Sequence, residues 1–160
     1  MPTALNTGDA NGSDHDGRAP FPLSRMSTLN FALIGCGGIT LQNHLPGLRL
    51  CPETKVAALC DADPAALERA RQQTGVSVTS TRYEDIVRRD DVHAVIIATP
   101  NCLHPPIALA AIAHGKHVLC EKPLALNAAD ALRMAAAAEQ AGVRHMTAFT
   151  YRFVPAMRYL

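Results

Sequence analysis

The chain has 160 residues, with 15 Lys and Arg against 14 Asp and Glu, a net charge of +1 and a charged fraction of only 18%. A surface this close to neutral does not capture nucleic acid electrostatically, and no run approaches the roughly 18 uninterrupted apolar residues of a membrane span. The length suffices for one domain with a sizeable core.

Residues 1–28 are expected to form a disordered leader. Asn6 to Arg18 is rich in Gly, Asn, Asp, Ser and His and has no hydrophobic periodicity. A basic segment followed by an apolar core is missing, so no secretion signal is read and a cytoplasmic location is expected. Five cysteines, Cys36, Cys51, Cys60, Cys102 and Cys120, include no C-x-x-C pair. Three lie in or beside apolar runs and read as buried thiols in a reducing compartment.

Phe31 to Ile34 reads as a short buried strand, and Gly35-Cys-Gly-Gly38 turns the chain into a helix pattern with Ile39 and Leu41. Strand, glycine turn and helix form the place where a dinucleotide pyrophosphate rests on unpaired backbone N–H groups. Gly35 would allow the tight turn, and Gly37 would let the backbone approach the phosphates. Thr40 stands at the third fingerprint position in place of Gly or Ala. After a loop from Leu48 to Glu53, Lys55 to Cys60 is a second strand ending at Asp61. Asp63 caps a helix that opens with Pro64 and stops at Gly75. Val76 to Val78 is a short third strand, and Thr81 with Glu84 is a capping-box pattern ahead of Ile86 and Val87.

Val92 to Ala98 is apolar and β-branched, as a central parallel strand covered on both faces should be. Thr99-Pro-Asn101 breaks it. A helix follows from about Leu103 to His114, then a strand from His117 to Cys120 and the charged pair Glu121-Lys122 with Pro123. Asn127 and Asp130 open an alanine-rich helix that runs to Gln140 and stops at Gly142. Val143 to Phe149 is the last strand.

This alternation predicts an α/β, three-layer, doubly wound parallel sheet of the Rossmann type, with strand order 3-2-1-4-5-6. Ligands on such a sheet sit beyond the carboxyl ends of the strands, where the winding reverses. That crevice is bordered by Gly35 to Gly38, Thr99 to Asn101 and Glu121 to Pro123, and the unusual residues cluster there. Asp61, 26 residues beyond Gly35, ends the second strand as a ribose-binding acid would, or is a solvated turn aspartate. A carboxylate there would repel a 2′-phosphate, so NAD is expected in preference to NADP. Asn101 bonds a cofactor or caps the next helix. Lys122 either approaches the nicotinamide and a substrate hydroxyl, favouring a developing alkoxide, or is a surface lysine before a helix-starting proline; a cis bond to Pro123 is one option. His44 reads as a helix-surface or phosphate-side residue, and His104 as a residue facing the crevice. His93 and His117 read as structural hydrogen-bonding residues. No metal-ligand spacing, H-E-x-x-H or G-x-S-x-G occurs.

From Thr28 to Leu160 the chain resembles the amino-terminal half of the glucose–fructose oxidoreductase, inositol dehydrogenase and rhizopine-catabolism family. The resemblance rests on Gly35-Cys-Gly-Gly-Ile39, His44, Asp61-Ala-Asp63, Ala98-Thr-Pro-Asn101 with His104, and above all Gly115-Lys-His-Val-Leu-Cys-Glu-Lys-Pro123. It implies NAD(P)-dependent oxidation or reduction of a sugar, cyclitol or related polyol. Gly35, Gly37, Gly38 and Ile39 would lie at the pyrophosphate and Asp61 at the adenosine ribose. Thr99, Asn101 and His104 would line the cleft. Glu121 and Lys122 would lie near the nicotinamide ribose and the substrate, with Lys122 as the catalytic lysine and Arg152 touching the cofactor. The resemblance also implies a dinucleotide-binding domain over residues 29–150 and a crossing over 151–160 into a substrate domain absent from this chain. That domain would supply the acid/base histidine and the oligomer interface, so an isolated fragment is expected to be inactive. The alternative is a nucleotide-binding module without catalysis, or a truncation remnant.

Overall fold

All six expected strands form, and all pair in parallel. The computed structural model describes residues 28–159, so the expected leader over residues 1–28 lies, but for Thr28, outside the described residues. The strands are β1 (Leu29–Ile34), β2 (Thr54–Cys60), β3 (Thr79–Ser80), β4 (Ala94–Ile97), β5 (His117–Cys120) and β6 (His145–Thr147). They make one sheet in the order β3-β2-β1-β4-β5-β6. Between them run α1 (Leu45–Arg49), α2 (Pro64–Thr74), α3 (Tyr83–Val87), α4 (His104–Ala113) and α5 (Ala128–Ala141).

The side-chain alternation of the strands explains the three layers. Ala32 and Ile34 of β1 join one buried cluster with residues of α3, α4 and α5. Leu33 of β1 and Leu59 of β2 join the other with Leu67 and Ala70 of α2, and Leu41 and Leu48 pack on it. Ala94 to Ile97 of β4 are all buried, as expected of a strand covered on both faces. No helix among the described residues is long and apolar enough to cross a membrane.

Local signals hold where a side chain meets a backbone group at short range. Asp63 accepts from the N–H of Ala65 at 2.9 Å, and Asn127 accepts from the N–H of Asp130 at 2.9 Å. The Thr81–Glu84 capping box does not form. Its helix opens one residue later than the box requires, with Arg82 at the cap. Ser80 takes the role instead, accepting from the N–H of Arg82 at 3.0 Å and donating to Asp85 at 2.8 Å. The third strand lies at Thr79–Ser80 rather than Val76–Val78. Val76 and Val78 pack against opposite core clusters, but the next two residues are the ones that pair with the end of β2. The last strand is likewise shorter than expected, at His145–Thr147.

Candidate functional site

The ladder hydrogen bonds continue beyond the strand ends. Gly35 donates to Cys60 at 2.8 Å, Ala98 to Ile34 at 2.8 Å and Glu121 to Ile97 at 2.9 Å. The loops after β1, β4 and β5 are thereby locked to one another at the carboxyl edge of the sheet.

The glycine turn is built around two different requirements. Gly35 has φ +93°, and a Cβ there would overlap the carbonyl oxygen of Ala98 and lie 2.6 Å from its carbonyl carbon. Only glycine lets β1 and the end of β4 come this close. A Cβ on Gly37 would meet nothing within 4 Å. Gly37 therefore has no packing reason to lack a side chain. From Gly38 the chain is helical, first as a π-helical segment, Thr40–His44, and then as α1. Thr40, at the departing fingerprint position, is fully buried and its hydroxyl donates to the carbonyl of Gly35. The helix thus packs closely without the third glycine. Gly38 and Ile39 form its exposed first turn.

A cleft of about 250 Å³ opens beside this turn, lined by Gly35, Gly37, Asp61, Tyr83, Thr99 and Leu103, among others. The Thr99 hydroxyl, buried in the loop after β4, has no hydrogen-bond partner among the described residues. A larger hollow of about 500 Å³ lies at the amino-terminal ends of β1 and β2, beside Asn30, Arg49, Lys55 and Gly75. It is at the opposite edge of the sheet from all three unusual loops, and the smaller cleft is the better site candidate on chemistry.

Asp61 faces the turn. One carboxylate oxygen accepts from the N–H of Cys36 at 2.7 Å and the other from the N–H of Asp63 at 2.9 Å. Cys36 and Cys60 flank it as thiols pushed up to about 12, mainly by burial, with the Asp61 charge adding to the effect. They stay protonated and inert at neutral pH. Cys120 is raised to about 12 for the same reason, burial first and then Glu121.

The third loop holds a connected group. Glu121 is 8% exposed. One of its oxygens lies 2.9 Å from Nε2 of His44, and the other accepts from the N–H of Lys122 at 3.1 Å. The Lys122 side chain is exposed, makes no ion pair among the described residues, and is followed by a cis peptide bond to Pro123. His104 is fully buried behind these loops. Its Nδ1 lies 2.9 Å from the Pro123 carbonyl and its Nε2 2.9 Å from the Thr99 carbonyl, so the ring spans the loops after β4 and β5.

Asn101 opens a 3₁₀ turn, Asn101–Leu103, ahead of α4, and no side chain caps that turn. Arg152 lies exposed in the 3₁₀ turn Thr150–Phe153, outside the cleft's lining. His93 and His117 make the structural bonds expected of them: Nδ1 of each accepts a backbone N–H, from Asn30 at 2.9 Å and Arg144 at 3.0 Å. No cluster among the described residues could hold a metal ion. Two features escape sequence reasoning. Tyr83, the first residue of α3, lines the cleft, and His44 reaches Glu121 from 77 positions away. A histidine at fixed distance from the glycine turn was the available signal for the second.

Residues 29–149 match the family model described as the oxidoreductase family with an NAD-binding Rossmann fold. The chain is 36% identical over 141 residues to a levoglucosan dehydrogenase of Pseudarthrobacter phenanthrenivorans, covering 82% of this chain and 36% of that protein. It is 36% identical over 127 residues to a D-apiose dehydrogenase of Paraburkholderia graminis, covering 79% and 34%. A 3-ketoreductase from Actinomadura kijaniata, solved with NADP and TDP-benzene, superposes with a TM-score of 0.77 at 32% identity, covering 82% of this chain and 40% of its own. The WlbA dehydrogenase of Chromobacterium violaceum, solved with NADH and UDP-GlcNAcA, gives 0.78 at 32% identity, covering 83% and 38%. The chain therefore spans only between a third and two fifths of the length of these relatives.

These relatives correct the expectation that NAD is favoured over NADP. Of six similar structures with a named cofactor, five carry NADP, all of them the Actinomadura enzyme, and one carries NADH. The geometry supplies the reason the inference from Asp61 fails. Both of its carboxylate oxygens are already engaged by backbone N–H groups of the adjoining turns. Asp61 keeps its charge, but its oxygens are turned to the amides of Cys36 and Asp63, so its place at the end of β2 does not by itself decide between NAD and NADP.

Proposed function

The chain belongs to the oxidoreductase family with an NAD-binding Rossmann fold, and from that premise we propose that it binds NAD(P) and serves hydride transfer to or from a sugar, cyclitol or related polyol. One observation carries the cofactor part. A glycine with open space in place of a side chain and a buried hydroxyl without a partner line the same cleft, at the carboxyl edge of the sheet. Both features are costly or unexplained in folding terms and both suit a polar ligand approaching the backbone.

The turn Gly35 to Gly38, with Ile39, would hold the pyrophosphate on N–H groups at the start of a helix whose dipole favours negative charge. Asp61 would shape the turn near the adenosine ribose. Thr99 would donate its hydroxyl to the cofactor, and Asn101 and Arg152 are assigned to its periphery. His104 would act from behind, fixing the carbonyls of Thr99 and Pro123. The nicotinamide, when bound, supplies or accepts the hydride. Lys122 would hold the substrate oxygen: its side chain is exposed, it makes no ion pair among the described residues, and its charge would stabilise an alkoxide. His104 is fully buried with both ring nitrogens against backbone carbonyls, so it is not placed to take the substrate's proton. The dehydrogenase and ketoreductase names of the relatives support the sugar or polyol class.

Calorimetric titration of the chain with NADH and NADPH tests the reading. Saturable binding of either, abolished by Gly37→Trp with folding intact, is the expected result. Absence of binding by the unmutated, folded chain would refute it.

A further inference from the structure

We propose that His44 is a positioning residue that, by holding Glu121, couples the helix of the glycine turn to the orientation of Lys122. The inference rests on the cofactor reading above and extends it to a residue that reading does not require.

The contact is short and sheltered. His44 Nε2 and Glu121 Oε1 are 2.9 Å apart, and each side chain is only 10% exposed. A buried carboxylate left unpaired would be strongly unfavourable, so Glu121 needs a donor there. Its other oxygen accepts from the N–H of Lys122 at 3.1 Å. A carboxylate held at both oxygens cannot rotate about its last bond. The Lys122 amide is held in turn, and with it the direction in which the lysine stem leaves the loop. His104 on the Pro123 carbonyl holds the chain one residue further on.

The helix is shaped for this contact. Thr40–His44 is a π-helical segment whose last member is His44, and the Leu45 N–H closes its turn on the Thr40 carbonyl. Such segments are rare and occur frequently at functional sites. Its first residue, Thr40, is tied to Gly35, and its last, His44, to Glu121. A single helical stretch thus joins the phosphate turn to the lysine loop across the point where the winding of the sheet reverses.

A purely structural contact would affect stability and every ligand alike, so the test separates the two ends of the cofactor. The full chain is titrated with ADP-ribose, which lacks the nicotinamide, and with NADH and NADPH, whose nicotinamide emission reports how the ring is held. Gln places its amide nitrogen where Nε2 of His stands and reaches Glu121; Asn is as polar but too short. His44→Asn should bind ADP-ribose within about twofold of the unmutated chain and lose most of the emission enhancement of bound NAD(P)H. His44→Gln should restore it. This pair carries the comparison even where His44→Ala fails to fold. Emission in His44→Asn equal to that of the unmutated chain would overturn the inference and leave the cofactor reading standing. Equal losses of ADP-ribose and NAD(P)H affinity in both variants would also overturn it, as a general structural effect. Failure of the unmutated chain to bind any of the three would overturn the cofactor reading, and the inference with it.

Discussion

Gly35 and Gly37 stand two residues apart in one turn, and their alanine variants should fail in opposite ways. At Gly35, φ is +93° and the added Cβ would overlap the Ala98 carbonyl, 2.6 Å from its carbon and 2.9 Å from the Thr99 nitrogen. Those are backbone atoms held by the bond from Ala98 to Ile34, so they cannot step aside cheaply. The disfavoured φ costs about 1–3 kcal/mol and the overpacking a further 1–3 kcal/mol, roughly 2–6 kcal/mol together. At about 4 °C per kcal/mol for a domain of this size, the thermal midpoint should fall by roughly 8–24 °C. At Gly37 a Cβ meets nothing within 4 Å and the backbone is not left-handed. Gly37→Ala should therefore leave stability within about 0.5 kcal/mol. It should still weaken NAD(P)H binding about tenfold or more, equivalent to about 1.4 kcal/mol, because the methyl enters the space a phosphate would use. Thermal melts and calorimetric titration of the two variants decide the matter. A Gly35→Ala melt within a degree or two of the unmutated chain would refute the packing argument. Unchanged cofactor affinity in Gly37→Ala would refute the assignment of the turn to the pyrophosphate.

Lys122→Ala should leave NAD(P)H affinity within about twofold, yet lower turnover by roughly 10² in an active protein carrying this domain, the scale of a lost transition-state contact; steady-state rates within twofold would reduce Lys122 to a surface residue. His117 is held below its ordinary value of 6.5, mainly by burial and then by the Arg144 and His93 charges. The unfolded chain therefore binds the extra proton first, and stability should fall as pH drops from about 6.5 toward the lowered value and then level off. Denaturant titrations of the unmutated chain and His117→Asn across that window should differ in slope, and parallel curves would refute the assignment.

The order of the sheet was legible because each βα unit carries its own short-range marks: a buried apolar run, a capping Asp63 or Asn127, a stopping Gly75 or Gly142. The positions of Asp61, Thr99 and Lys122 followed from the same marks, since the ends of parallel strands define one edge. What could not be read depends on contacts between distant elements. The shift of the third strand is set by where β2 ends, and the failure of the Thr81–Glu84 box by a helix that starts one residue late. Asp61 shows the limit most clearly. Its place at the end of β2 was evident, but not that its oxygens turn to the amides of Cys36 and Asp63, and its charge alone did not fix the cofactor.

The buried polar residues at this edge share a logic that accounts for why the three loops form one site. A short loop at a strand end has backbone groups without ladder partners, and each must be satisfied or the loop will wander. Here several of the partners come from another loop. Asp61 satisfies the N–H of Cys36, His104 spans the carbonyls of Thr99 and Pro123, and His44 holds the acid that binds the N–H of Lys122. The Asp61–Cys36, His104–Pro123 and His44–Glu121 links cross from one strand's loop or helix to another's, whereas His104–Thr99 and Glu121–Lys122 stay within one. Loss of any crossing link should therefore disturb two loops rather than one. The Thr99 hydroxyl, buried beside them, is the exception to this economy. The amides of Cys36 and Lys122 find partners among the loops, and the Thr99 hydroxyl, without one among the described residues, would take its partner from the cofactor proposed above.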